Sequence, residues 1–168
     1  MSGQNTFTRW SVVASGEGGG RIASQFFSRA ENPGIDGRIL VMNTNRSDLR
    51  NTIDRLKEHM GTSTDEETLM QENALEFGSQ EGAGNFFPNG EACAKEDIDR
   101  VVKRIGDEMP NSDAFMHIAT LGGGTGNGSI PYVTAQFKNG LTDATRDVPP
   151  WAKSVIHAAF GVWPYYYE

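Results

Sequence analysis

The chain has 168 residues, 22 acidic against 15 basic, a formal charge of −7 and 37% hydrophobic residues. That size supports one domain, residues 1–168, with a core of its own, and the acidity without a long basic stretch disfavours a nucleic-acid partner. A single cysteine, Cys93, excludes a disulfide framework. With no apolar run near the roughly 20 residues of a membrane span and no secretory pattern at the N-terminus, membrane insertion is not expected and the cytoplasm is.

Residues 10–14 form a short apolar strand, followed by Ser15-Gly16-Glu17-Gly18-Gly19-Gly20-Arg21. Ile22, Phe26, Phe27 and Ala30 then recur at helical spacing up to Asn32-Pro33-Gly34. Residues 38–42 are of strand length and end in Asn43-Thr44-Asn45. A helix is expected over 47–60, with Leu49, Ile53, Leu56 and Met60 on one stripe and Gly61 as its stop. Thr64-Asp65-Glu66-Glu67 suggests a capping box and a short helix, and 73–77 a short edge strand. Residues 78–90 read as a long loop, of the kind that is often functional. An amphipathic helix is expected over 95–109 through Ile98, Val101, Val102, Ile105 and Met109, closed by Pro110-Asn111.

An apolar strand over 114–121 leads into Gly122-Gly123-Gly124-Thr125-Gly126-Asn127-Gly128, the most informative stretch of the chain. Five glycines in seven positions, each costing about 0.5–1 kcal/mol against alanine, argue against a helix or strand there. A helix is expected after the run, over 129–139, with Ile130, Val133 and Phe137 on one face. A polar connection and a last strand over 155–162 precede the ending Trp163-Pro164-Tyr165-Tyr166-Tyr167-Glu168. His59 lies apart from His117 and His157, which fall in strand-like stretches; all three are expected to be satisfied core or surface histidines, and no metal ligands are assigned.

Strands alternating with helices imply an α/β fold, a Rossmann-like, mostly parallel sheet with helices on both faces. Both glycine runs, the Asn-Thr-Asn stretch and the terminal tyrosines follow strands, so all are expected on the rim where such sheets bind ligands. A strand, a glycine loop and a helix N-terminus form a phosphate cradle, because free amides and the helix dipole favour an anion there. Two such units suggest a polyphosphate held from two sides. A dinucleotide-binding Rossmann domain fits poorly, since no carboxylate closes the second strand and one glycine run would be unexplained. A Walker loop is absent, because no glycine run continues into Gly-Lys-Ser/Thr.

These residues resemble the tubulin/FtsZ/CetZ superfamily of GTP-binding filament proteins. Its string G-G-G-T-G-[ST]-G is similar to residues 122–128, with Asn127 in place of Ser or Thr. Its first loop is similar to 16–21, its Asn-Thr to Asn43-Thr44, its γ-phosphate loop to Gly82-Ala83-Gly84-Asn85, and its x-P-F-x-F-E segment to 163–168. The resemblance implies a nucleotide-binding domain of the tubulin/FtsZ type, GTP or GDP with Mg²⁺, and self-association into filaments. It implies that Glu17, Gly18, Gly19, Gly20 and Arg21 wrap the α- and β-phosphates, with Asn43 beside them. Gly123, Gly124, Thr125, Gly126 and Asn127 would hold the phosphates from the other side. Gly82, Ala83, Gly84 and Asn85 would face the γ-phosphate, and Glu168 would take the ribose hydroxyls. Glu17 also departs from the family's pattern by placing a carboxylate beside the first glycine run.

Family members are longer. They continue into base-binding residues and an acidic catalytic loop that acts on the neighbouring subunit's nucleotide, so no catalytic residue is assigned in this chain. The expectation is therefore a truncated or N-terminal part of a GTPase that polymerises and hydrolyses in full-length form. The alternative is a non-hydrolysing nucleotide-binding accessory or filament-capping protein, and a NAD-type oxidoreductase domain ranks third.

Overall fold

The computed structural model of the chain describes residues 8–26, 39–60, 63–109, 112–139 and 155–163. Their elements run β1 (Trp10–Ser15), α1 (Gly16–Ser24), β2 (Ile39–Asn43), α2 (Arg46–Met60), α3 (Glu66–Asn73), β3 (Ala74–Glu76), α4 (Phe87–Glu96), α5 (Ile98–Glu108), β4 (Ala114–Thr120), α6 (Gly124–Asn139) and β5 (Ile156–Val162). The strands make one sheet of order β3-β2-β1-β4-β5, parallel at every pairing.

Strand period decides the two faces. Val12, Ala14, Ile39 and Val41 point to one side and pack with Ala23, Leu49, Ile53, Leu56 and Leu69 from α1, α2 and α3. Val13, Leu40, Met42 and Phe115 point to the other and pack with Ala94, Ile98, Val101, Ile105, Val133 and Phe137 from α4, α5 and α6. Because both faces are covered, β1 and β2 are buried almost throughout, as parallel strands are. The fold is therefore the α/β arrangement expected from the alternation of elements.

Several boundaries differ from the sequence expectation, each for a tertiary reason. Both helices begin inside the glycine runs rather than after them: α1 starts at Gly16, directly after β1, and α6 at Gly124, after a turn over residues 121–123. The helix cost of glycine is outweighed by close approach. A Cβ at Gly19 would lie 2.7 Å from the Ile118 carbonyl oxygen, and one at Gly128 would lie 2.0 Å from the Phe87 carbonyl oxygen. The expected continuation of the first helix through Phe27 and Ala30 lies outside the described residues. The long loop closes early, because α4 already begins at Phe87.

The single helix expected over 95–109 is two, α4 and α5, meeting at Asp97. Asp97 Oδ2 accepts from the Gly78 amide at 2.7 Å and from Arg100 at 2.6 Å. The Arg100 contact foremost, then that amide, holds its carboxyl below the usual range. The cap of α3 is Asp65 rather than Thr64: it accepts from the Thr68 amide at 3.0 Å, and this bond lowers its pKa.

Between β4 and β5 the imidazoles of His117 and His157 stack, with a hydrogen bond of 3.1 Å from ring to ring. Phe115 stacks on His157, and Phe137 meets both of these rings edge-on. His117 is fully buried, and its Nδ1 has no hydrogen-bond partner, so it is satisfied at one nitrogen only. Burial, and secondarily His157, pushes its pKa down to about 3.

Candidate functional site

The strand order turns back between β1 and β4, and in such sheets that switch point opens a crevice at the carboxyl ends of the strands. A cleft of about 430 Å³ lies there. Its floor is built from the starts of three helices. α1 follows β1 without a connecting residue, α2 begins three residues after β2, and α6 begins four residues after β4. The first four amides of each helix have no intrahelical acceptor, so the cleft wall is rich in unpaired donors and positive dipole ends.

Two features bring the first and last of these helices together. Gly16 has φ +74°, and a Cβ there would lie 3.0 Å from the Gly126 amide nitrogen. A Cβ at Gly126 would in turn lie 2.6 Å from the Ser15 carbonyl oxygen. Ser15 and Ser129 share a buried hydroxyl hydrogen bond of 2.7 Å across the same junction. The two glycine-rich turns thus touch backbone to backbone, leaving their helix starts side by side.

The third wall is residues 82–85. The Gly82 amide donates to the Thr44 carbonyl at 3.1 Å, fastening this turn to the end of β2. Gly84 and Asn85 are both left-handed, with φ 58° and 57°. The Ala83 carbonyl accepts from the Phe86 amide at 3.1 Å and from Asn89 Nδ2 at 3.3 Å, which hold the turn on α4. A hydroxyl hydrogen bond of 2.8 Å between Thr44 and Thr125 ties the β2 end to α6.

Of the residues singled out from sequence, Glu17, Gly18, Asn43, Gly82, Ala83, Gly84, Asn85, Gly123, Gly124, Thr125 and Gly126 line this one cleft. Gly19 and Gly20 instead pack away from it, Gly19 on the Ile118 carbonyl and Gly20 on Val41 and Thr52. Arg21 and Asn127 are not part of the lining, and Glu168 lies outside the described residues. Asn43 Oδ1 accepts from the Asn45 amide at 3.3 Å, which holds the turn leaving β2, and Asn45 Oδ1 accepts from the Asp48 amide at 3.0 Å, which caps α2. Asn45, Asp48, Thr120 and Gly122 also line the cleft. Nothing in the sequence distinguished Asp48 from an ordinary acid of a helix's first turn.

Among the described residues, Glu17 and Asp48 are the charged side chains of the lining. Burial, and then the Glu17 charge, raises the Asp48 carboxyl above its usual range, while Arg21 and Asn43 oppose the shift. A larger cavity, about 740 Å³, lies at the β3 edge and is lined by Arg46, Arg100 and Arg104. Those cations are already paired, with Glu76, Asp97 and Glu108 at 3.3, 2.6 and 2.6 Å. The amide-lined cleft is therefore the stronger candidate despite its smaller volume. Among the described residues no helix is long and apolar enough to cross a membrane, and no group of three or more His, Cys, Asp or Glu is placed to hold a metal ion.

The model of the GTPase domain of the Tubulin/FtsZ family matches residues 9–146. The tubulin-like protein CetZ1 of Haloferax volcanii is 30% identical over 136 residues, which are 79% of this chain and 32% of CetZ1. The chain thus spans about a third of the length of this relative. TubZ of Clostridium botulinum phage c-st, solved without its C-terminal tail, superposes with a TM-score of 0.67 at 21% identity, over 95% of this chain and 42% of TubZ. CetZ2 of Haloferax volcanii, solved as a protofilament bound to GTPγS, gives 0.59 at 18% identity, over 92% and 39%. These two likenesses speak for the fold, and the family match over most of the sequence carries the assignment: the chain belongs to the Tubulin/FtsZ family.

Proposed function

We propose that this chain binds GTP and GDP in the cleft between α1, α6 and residues 82–85. As part of a longer polypeptide in the cytoplasm it forms filaments in which GTP is hydrolysed between subunits. The single observation that carries this reading is the backbone contact of the two glycine-rich helix starts at Gly16 and Gly126, which leaves two sets of free amides facing one space. A polyphosphate suits such a wall because its charge meets oriented N–H groups and needs no lysine.

In this reading Gly18 and the amides beside it meet the α- and β-phosphates, and Gly123 to Gly126 meet them from the other side, with the Thr125 hydroxyl as a further donor. Gly82 to Asn85 face the γ-phosphate, and Glu168 takes the ribose. The open space at Gly82, Gly84 and Gly123, where an added Cβ meets nothing within 4 Å, leaves room for ligand oxygens against the backbone. A Mg²⁺ ion would be held mainly by phosphate oxygens and water, as this cation prefers, with Asp48 as an acid of the lining that could orient that water.

The test has two parts. Titration of the chain with GTP, GDP, ATP and NAD in the presence of Mg²⁺ is expected to show saturable binding of the guanine nucleotides. With the longer parent polypeptide, GTP is expected to raise light scattering and release phosphate. No guanine-nucleotide binding by the chain, or binding by NAD instead, would remove the reading.

A further inference from the structure

Glu17 lines the cleft from the first turn of α1, and its carboxylate Oε1 is paired with the Arg21 guanidinium one turn later. Both side chains are about half exposed, 43% and 52%, so the pair can open without unpacking the core. Asp48 lines the same cleft from the first turn of α2, and Glu17 and Arg21 act on its carboxyl in opposite senses. The carboxylate of Glu17 occupies the positive end of a helix, the place an incoming anion would take. An exposed ion pair of this i,i+4 kind is weak, whereas an arginine bonded to phosphate makes charge-assisted contacts of higher strength.

We propose that Glu17 is an internal competitor of the polyphosphate: it holds Arg21 while the cleft is empty and surrenders it to phosphate oxygens when the ligand enters. Arg21, which does not line the empty cleft, is then a phosphate ligand of the bound state, and Glu17 sets how much anionic charge the cleft accepts. This rests on the polyphosphate reading of the cleft and adds to it the residue that regulates entry. A ligand with more phosphates gains more from loss of the carboxylate, and added salt shrinks the gain.

The experiment is calorimetric titration of the chain and its Glu17→Gln, Arg21→Gln and double variants with GTP, GDP and inorganic tripolyphosphate, at low and at high salt. E17Q is expected to bind GTP and tripolyphosphate about fivefold or more tightly at low salt, as removal of one nearby like charge would give. R21Q is expected to weaken both by a similar factor, and the double variant to show a smaller gain from E17Q than the wild-type background does. Glu17→Ala provides a second way to remove the carboxylate, and circular dichroism checks that each variant is folded. GTP binding that E17Q and E17A leave unchanged or weaken overturns the proposal while the nucleotide reading stands. Tripolyphosphate binding that tightens in E17Q without any GTP binding upholds the proposal and removes the guanine-nucleotide reading. Failure of tripolyphosphate to bind any of the proteins overturns both.

Discussion

The rim of the sheet at its carboxyl ends and the flank between β4 and β5 are made from opposite materials. On the rim, the cleft is walled mainly by glycine backbone, and its charged side chains, Glu17 and Asp48, are partly exposed. On the flank, Phe115, His117 and His157 stack, Phe137 meets Phe115 edge-on, and His117 is fully buried. The contrast teaches where each kind of perturbation acts. Chemistry on the flank is coupled to folding, whereas a change on the rim can alter what the cleft holds without touching the core.

The largest effect is expected on the flank. His117 titrates near 3 in the fold and near 6.5 when unfolded, so the unfolded chain takes up its proton first as the pH falls. The contribution of this residue to stability is therefore intact above about pH 6.5. It declines by about 1.4 kcal/mol per pH unit below that, until the folded-state value is reached. Urea unfolding of the wild type and of His117→Asn between pH 7 and pH 4 isolates this slope. The wild type is expected to lose stability more steeply than the variant, and equal slopes would break the contrast between flank and rim.

Next comes the packing beneath the rim. Gly128→Ala would set a Cβ 2.0 Å from the Phe87 carbonyl oxygen and 2.5 Å from the Glu91 amide nitrogen, both backbone atoms of α4. α4 must move off α6, at a cost of about 1–3 kcal/mol read as a lowered denaturation midpoint. Thr125→Val is a smaller intervention. It removes the hydroxyl partner of buried Thr44 and is expected to cost about 0.5–1.5 kcal/mol by the same measurement.

Gly128 also shows what was legible in the sequence and what was not. Strand positions such as residues 10–14 and 114–120 could be read from apolar runs, and the parallel α/β class from their alternation with helices, because both signals are local. Whether a glycine belongs to a helix depends on its neighbour in space. Gly128 is helical because Phe87 and Glu91 leave no room for a side chain, and Gly19 because the Ile118 carbonyl does. The break at Asp97 was invisible for the same reason, since the Gly78 amide that this carboxylate binds is 19 residues away in sequence. At the cleft, spacing pointed to glycines but could not separate those that face the opening, such as Gly123, from Gly19 and Gly20, which serve packing. Asp48 escaped notice because only the third dimension sets it in the same cleft as Glu17.

The smallest effect on stability, and the sharpest on the rim, is expected at Gly123. A Cβ there meets nothing within 4 Å, so Gly123→Ala leaves every packed contact in place and should change stability by no more than about 0.5 kcal/mol. Yet Gly123 lines the cleft, so its new methyl group would stand where ligand oxygens must approach the backbone. Loss of one amide contact predicts an affinity for tripolyphosphate lower by about tenfold, the equivalent of 1.4 kcal/mol. Gly128→Ala should behave in the opposite sense, with lost stability and, under folding conditions, affinity nearly kept. Paired measurement of both variants decides whether rim and packing are separable. A Gly123→Ala chain that unfolds early while binding normally would show that this glycine serves the fold and not the cleft.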